Sequence, residues 1–246
     1  MAYYIRTKNI FNPKDKEQFK VSRSKIDLFL NCPKCFYLDR KLGIPRPDMP
    51  GFTLNIAVDA LLKKEFDIHR SQNQKHPLMK IYKVNAVPFA HAKLNEWRHN
   101  FTGIQYYYEP TNFLIFGAID DLWINPQGEL IIVDYKATST QSPIDLDSEY
   151  KQPYKRQMEI YQWLFRKNGF PVSQTGYFVY CNGLSDKKAF DAKLEFDIQL
   201  IPYKGSYDWV EPALRQMKEC LIADLPPEAS QNCDYCCYRN SANKYN

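Results

Sequence analysis

The sequence has no apolar run approaching the roughly 20 residues that cross a bilayer. Its opening, MAYYIRTKNIF, lacks the layout of a secretion signal. The expectation is a cytoplasmic protein with no membrane partner. No internal repeat is discernible, which argues against a stacked-repeat architecture. No helicase signature is present either, so any unwinding of a duplex would need another protein. Charge of one sign is also scarce: 33 Lys and Arg against 28 Asp and Glu leave a formal charge of +5. That excess permits a polyanionic partner without demanding one.

What is present is a chain of 246 residues, 44% hydrophobic and 25% charged, long enough to bury a sizeable core. One domain over 1–246 is expected, with a core at about 52–223 and cysteine-bearing terminal segments at about 22–50 and 224–246. The first twenty residues read as a loosely ordered, charged lead-in. SRSKIDLFLNC reads as a short helix, with Ser24 and Asp27 spaced as a capping box, and Pro45, Pro47 and Pro50 break the pattern that follows. From Thr53 to about Arg70, Leu54, Ala57, Val58, Leu61, Leu62, Phe66 and Ile68 share one broad helical face. A second helix is expected over Phe89–Asn100.

The middle is rich in β-branched and aromatic residues. Strands are expected at Gln105–Glu109, Asn112–Asn125 and Glu129–Lys136, with turns at Glu109–Asn112 and Pro126–Gly128. Tyr150–Lys167 returns to helical spacing, strands follow at Gln174–Cys181 and Ala189–Gln199, and a helix closes the core at Tyr207–Ala223. Helices, a hairpin, a helix, strands and a helix in that order indicate an α/β domain with a mixed sheet.

Two acids mark the ends of adjacent apolar strands: Asp120, followed by Asp121, and Asp134 in IIVDYK. A desolvated carboxylate must be paired or bind a cation. Two of them on neighbouring strands suit Mg²⁺ or Mn²⁺, which prefer oxygen ligands. Asp134 and Lys136, two apart on a strand, point to the same face. That places an ammonium beside a metal-bound carboxylate, suited to steadying a hydroxide or the charge of a reacting phosphate. Asp121 is an alternative to Asp120, but its side chain should point to the opposite face of the sheet. Gln157 and Tyr161 are one helical turn apart and share a face.

In this order, Gly117-Ala-Ile-Asp120, Asp134-Tyr-Lys136 and Gln157-Met-Glu-Ile-Tyr161 resemble the PD-(D/E)XK nuclease superfamily, and its RecB-like branch in particular. The resemblance spans roughly Ser24 to Arg239. It implies a restriction-endonuclease-like core, a central mixed β-sheet flanked by helices, and a metal-dependent DNA nuclease of exonuclease type acting in repair, recombination or defence. It also implies that Asp120, Asp134 and the Tyr135 carbonyl hold the metal and that Lys136 orients or stabilises the attacking water. Gln157 and Tyr161 would contact the DNA near the scissile phosphate. Such nucleases often carry a histidine ligand on an early helix, and here Asp59 stands in its place. Glu65 lies nearer the middle of the apolar face of that helix and is the second candidate ligand. The two differ by about 120° in projection, so one ion is not expected to use both.

Of seven cysteines, five fall near the ends: Cys32 and Cys35, then Cys233, Cys236 and Cys237. Cys181 and Cys220 read as packed core thiols. The two-residue spacing of CPKC and CDYC lets paired thiolates grip one ion, and four of them suit Zn²⁺ or a [4Fe–4S] cluster. Cys32, Cys35, Cys233 and Cys236 are the expected set, with Cys237 as an alternate. The arrangement is similar to CRISPR-associated and AddB-type RecB-like nucleases, which enclose an iron–sulfur cluster with one cysteine near the start and three near the end. Here Ala242 stands where the last would be and Cys35 is extra. Either metal would be a staple between the chain ends, apart from the hydrolytic centre.

Phosphate contacts are expected from Lys34, Arg40, Lys41 and Arg46 and from Lys151, Lys155 and Arg156. Tyr106, Tyr107, Tyr108, Tyr150 and Tyr154 offer stacking surfaces for unpaired bases. The expected partner is DNA, single-stranded or at duplex ends, with a helicase or a repair or defence protein alongside. The competing readings are a non-catalytic DNA-binding or helicase-associated scaffold of the same fold, and a zinc-stapled protein-interaction domain.

Overall fold

The computed structural model describes residues 5–48 and 51–245; Pro50 and the first four residues of the opening lie outside this range. In chain order the elements are β1 (Phe19–Ser22), α1 (Arg23–Asn31), α2 (Pro33–Arg40), α3 (Thr53–Ser71), α4 (Pro77–Ile81), β2 (Val87–Pro88), α5 (Leu94–Trp97), β3 (Ile104–Tyr108) and β4 (Phe113–Gly117). There follow β5 (Asp121–Ile124), β6 (Leu130–Thr138), α6 (Gln152–Lys167), β7 (Thr175–Gly183), β8 (Phe196–Lys204), α7 (Val210–Ile222) and α8 (Asp234–Ala242). The class is α/β with mixed sheets flanked by helices. The chain forms two units: residues 1–50, 105–116 and 208–246 make one, and 51–104 with 117–207 the other. Residues 105–116 and 208–223 group with the terminal segments in the first of these units.

The first unit holds a three-stranded sheet in the order β1-β4-β3, with β1 parallel to β4 from Phe19↔Phe113 to Ser22↔Phe116. The segment expected as a loose lead-in therefore ends in a strand. Its alternating Phe19 and Val21 turn inward beside Phe113 and Ile115. Ser24 lies inside α1, whose N-cap is Ser22, and no side-chain cap is made there, so the expected capping box does not form. Ile26, Phe36, Leu214, Met217 and Leu221 are fully buried, and the Tyr37 hydroxyl donates to the Asp224 carbonyl at 2.9 Å.

The second unit holds a five-stranded sheet in the order β2-β5-β6-β7-β8, in which β6 and β7 are parallel and the other neighbours antiparallel. Its core joins Leu62 and Phe66 of α3 to Trp123, Ile131, Val133, Tyr135 and Val179. Burying side chains of this size contributes about 1.5–3 kcal/mol each. The buried face of α3 is narrower than its spacing suggests. Leu54, Leu61 and Ile68 are exposed, because the sheet covers only the ridge of Leu62, Phe66 and Arg70.

Three other expectations are corrected. The Asn112–Asn125 strand is two strands in different sheets, β4 and β5, separated at residues 118–120. The Phe89–Asn100 helix contracts to the single turn of α5, whose Trp97 stacks on the His91 ring and meets the Phe165 and Phe170 rings edge to face. The last strand begins at Phe196 rather than Ala189, because Asp191 and Ala192 take positive φ (44° and 55°) and interrupt the extended chain.

Candidate functional site

β6 carries the centre of the site. Alternation turns Ile131, Val133 and Tyr135 toward α3 and leaves Asp134 and Lys136 facing the other side of the sheet. There the Lys136 ammonium pairs with the Asp134 carboxylate and stands 4.6 Å over the ring of Tyr154. It also reaches Gln157 Oε1 at 3.5 Å, and Gln157 Nε2 donates to the Tyr161 hydroxyl at 3.2 Å. Asp134 is wholly buried and the Lys136 side chain is 15% exposed. The structure thus brings together Asp134, Lys136, Gln157 and Tyr161.

Asp120 sits in the connection between β4 and β5, not at the end of a strand. The antiparallel ladder of β5 on β6 ends at Asp121↔Val133. Two residues earlier, Ile119 N–H bonds the Trp97 carbonyl at 3.1 Å and leaves the sheet. The Tyr135 N–H needs an acceptor and finds it in Asp120 Oδ2 at 2.8 Å. The Asp120 carboxylate is thereby held against the residue between Asp134 and Lys136. Gly103 allows the chain to pass here: its φ is +59°, and a Cβ on it would strike the Gly117 carbonyl.

Asp59, on α3, lies beside Asp120. Burial and the negative charge of Asp120 together raise its carboxyl above the ordinary aspartate range, against the opposing effect of Lys63. Lys63 Nζ is 2.8 Å from Asp59 Oδ2 and 3.6 Å from Asp120 Oδ1. An ammonium of the protein's own therefore stands between two carboxylates that repel each other. This all-oxygen donor set, already holding one cation, fits a hard divalent ion such as Mg²⁺ or Mn²⁺.

Glu65 is not part of this group. It points elsewhere on α3 and bonds His76 Nε2 at 2.8 Å, while His76 Nδ1 accepts the Leu78 N–H and caps α4. Its need for a partner is met by a histidine eleven residues on, which helical projection cannot show.

Asp121, the first residue of β5, has different partners from Asp120 and is wholly buried. Arg70 pairs with it, Arg98 Nη2 reaches it at 2.8 Å, the Tyr135 hydroxyl donates to it at 2.8 Å, and its own Leu122 N–H closes on it. Both arginines also hold Asp67. Arg98 Nε in addition donates to the Asp120 carbonyl at 3.0 Å. Burial and the adjacent Asp121 charge raise the Tyr135 phenol well above its usual range, so it stays a neutral donor. The network positions Asp120 from both sides, through its carbonyl by Arg98 and through its carboxylate by the Tyr135 N–H.

In the first unit, Cys32, Cys35, Cys233 and Cys236 come together, with all four Sγ atoms within 4.8 Å of one another. Among the described residues no other set of three or more His, Cys, Asp or Glu ligand atoms is that tight, so the carboxylates of the second unit are spaced more widely. Cys32 is the N-cap of α2 and Cys233 that of α8, and Cys35 and Cys236 lie in the first turns. Burial opposes ionisation of Cys32, but backbone hydrogen bonds from Cys35 and Ser230 outweigh it and lower its thiol to about 6. Burial pushes the Cys35 and Cys236 thiols up. Cys237 is exposed, with its Sγ toward the Gln231 carbonyl, and is not one of the set. Burial raises Cys181 and Cys220 to about 11, in keeping with packed thiols.

Lys63, Arg98 and Arg70 were missed as site residues, and Tyr154, expected as a stacking surface for bases, lies under the Lys136 ammonium. Only Lys63 left a signal, four residues after Asp59 on a helix. Several expected DNA contacts are corrected. Arg40 is buried with its guanidinium over the Phe19 ring, and Lys41 and Lys151 bond the Ala223 and Asp145 carbonyls. Tyr108 is buried, with its hydroxyl shared by Glu211 and Arg215. These side chains are committed within the fold. No described helix is long and apolar enough to cross a membrane.

Residues 53–241 match the family described as the PD-(D/E)XK nuclease superfamily. No curated protein matches the sequence. Among solved structures, one described as "Crystal structure of SSO0001" is 15% identical, with a TM-score of 0.41, over 93% of this chain and 87% of that one.

Proposed function

This chain belongs to the PD-(D/E)XK nuclease superfamily, and from that premise we propose that it is a RecB-like, Mg²⁺- or Mn²⁺-dependent deoxyribonuclease of exonuclease type. Its work would lie in DNA repair, recombination or defence, on single strands or duplex ends, beside a helicase or another protein of those systems. Superfamily members are generally nucleases that hydrolyse phosphodiester bonds.

One observation carries the reading: a fully buried Asp134 paired with Lys136 on one face of β6, with Asp120 anchored to the residue between them. A buried ion pair is a poor way to stabilise a sheet, since apolar side chains of similar volume serve as well or better. Its presence beside two further carboxylates is better explained by chemistry.

In this reading Asp120 and Asp134 would hold the divalent ion, with Asp59 as a third carboxylate and the Tyr135 carbonyl as a further ligand. When bound, such an ion supplies charge to a phosphate oxygen and acidifies water enough for attack at neutral pH. Lys136, fixed by Asp134, Gln157 and the Tyr154 ring, aims its donors at charge that develops on the phosphate or on the attacking oxygen. Gln157 and Tyr161 hold the adjoining strand. Lys63 gives up its place between Asp59 and Asp120, and its ammonium then meets a phosphate oxygen.

The test is cleavage of end-labelled single- and double-stranded DNA by purified protein with Mn²⁺ or EDTA. Cleavage with Mn²⁺ that is lost in Lys136→Ala while DNA binding persists supports the enzyme. Binding without cleavage of any substrate would assign the scaffold role instead.

A further inference from the structure

The resemblance to nucleases with an iron–sulfur cluster makes a specific demand on the cysteines. In a [4Fe–4S] centre each thiolate binds a different iron and points away from the cube, so the four sulfurs stand roughly 6 Å apart. A single zinc with Zn–S bonds of about 2.3 Å sets the sulfurs at the corners of a tetrahedron with edges of about 3.8 Å.

The observed separations are 3.9 Å for Cys32–Cys236, 3.6 Å for Cys35–Cys233 and 3.6 Å for Cys35–Cys236, and no pair in the set exceeds 4.8 Å. These separations match the edges expected of four thiolates around one tetrahedral ion. A cube of iron and sulfide does not fit inside them. The sequence pattern agrees, because two C-x2-C pairs are present and position 242, where a third closely spaced cysteine would complete the iron–sulfur pattern, is alanine.

A zinc ion with four thiolates carries a net charge of −2, and buried charge needs compensation. Three features of the chain supply it. The N-termini of α2 and α8 both begin at the cysteines, so both helices turn the positive ends of their dipoles toward the sulfurs. Arg46 Nη2 donates to Cys233 Sγ at 3.3 Å, and its guanidinium is held in place by Asn31 Oδ1 at 2.7 Å and by the ring of Tyr235, 4.5 Å away.

We propose that Cys32, Cys35, Cys233 and Cys236 hold one tetrahedral zinc ion, not an iron–sulfur cluster, and that Arg46 is the charge partner of this thiolate shell. The assignment is independent of the nuclease chemistry and concerns the other unit of the chain.

The experiment uses the full chain from cells grown with added iron and cysteine and purified without oxygen. The expected product is colourless and contains one zinc per chain with neither iron nor acid-labile sulfide. X-ray absorption at the zinc edge should show four sulfurs at about 2.3 Å. Brown protein with iron and sulfide overturns the proposal, and so does protein with no bound metal or with zinc bound by fewer than three sulfurs. Arg46→Gln should release zinc to a chelator about tenfold faster than wild type, the low end of what loss of a hydrogen bond to a metal ligand does. An unchanged release rate removes Arg46 from the site.

Discussion

Replacing Lys136 by methionine keeps most of the side-chain volume and removes the ammonium from Asp134. The aspartate is wholly buried and the lysine side chain is 15% exposed, so the remaining carboxylate gains little help from solvent. Breaking a buried pair from one side costs about 3–5 kcal/mol, which for a chain of this size lowers the melting temperature by on the order of 10 °C. Two further variants test whether the buried charge is the cause. Asp134→Asn with Lys136→Met removes both charges and should recover most of the loss. Mn²⁺ should stabilise Lys136→Met at least as much as wild type, by about 2.7 kcal/mol at a hundredfold excess over Kd, and should not stabilise Asp134→Asn. The assay is thermal melting with EDTA and with Mn²⁺. If Lys136→Met melts within a degree of wild type, the pair is not a buried one. If the double variant is as unstable as the single, the loss comes from packing and the argument for a cation at Asp134 fails.

Asp59→Asn should leave the metal-free protein at least as stable as wild type near neutral pH. Because the folded protein raises the Asp59 pKa, it binds the proton more tightly than the unfolded chain. This contribution is present at low pH and is lost as pH rises from the ordinary aspartate range through the raised value. Melts of metal-free protein from pH 4 to 8 should show a gentler decline in the variant. Arg98→Lys and Arg70→Lys both disturb Asp121 and Asp67, but only Arg98 also holds the Asp120 carbonyl. Calorimetric titration should therefore show Mn²⁺ affinity about 10–100-fold weaker in Arg98→Lys and little changed in Arg70→Lys. Gly103→Ala should destabilise by more than about 1 kcal/mol in denaturant melts, since the residue takes a positive φ and meets the Gly117 carbonyl.

Asp134, Lys136, Gln157 and Tyr161 were legible in the sequence because each pair is local. Two residues on a strand or four on a helix share a face whatever the rest of the chain does. The four cysteines were legible for the same reason, since each C-x2-C is one turn, and only their meeting is long-range. Asp120 was found by its motif but misplaced. The break after Gly117 is made by the Trp97 carbonyl, which takes the Ile119 N–H out of the ladder, and by the close approach of Gly103. The largely apolar stretches on either side, Phe113–Phe116 and Leu122–Ile124, give no sign of either.

Glu65 and Asp121 show why an acid in an apolar setting is an ambiguous signal. Both need partners, and both find them at a distance: His76 for Glu65, and Arg70, Arg98 and Tyr135 for Asp121. Asp59 and Asp120 differ in what they lack. Their shared cation is Lys63, and the Asp120 charge raises the cost of ionising Asp59. A carboxylate fixed by two arginines and a phenol is satisfied and resists exchange of its partners. Two carboxylates sharing one ammonium on a flexible four-carbon stem can trade it for a doubly charged ion with a gain in Coulomb energy. On the proposed reading, the physical distinction between a structural acid and a metal ligand in this chain lies in how replaceable its partner is, and burial alone would choose Asp121 over Asp120.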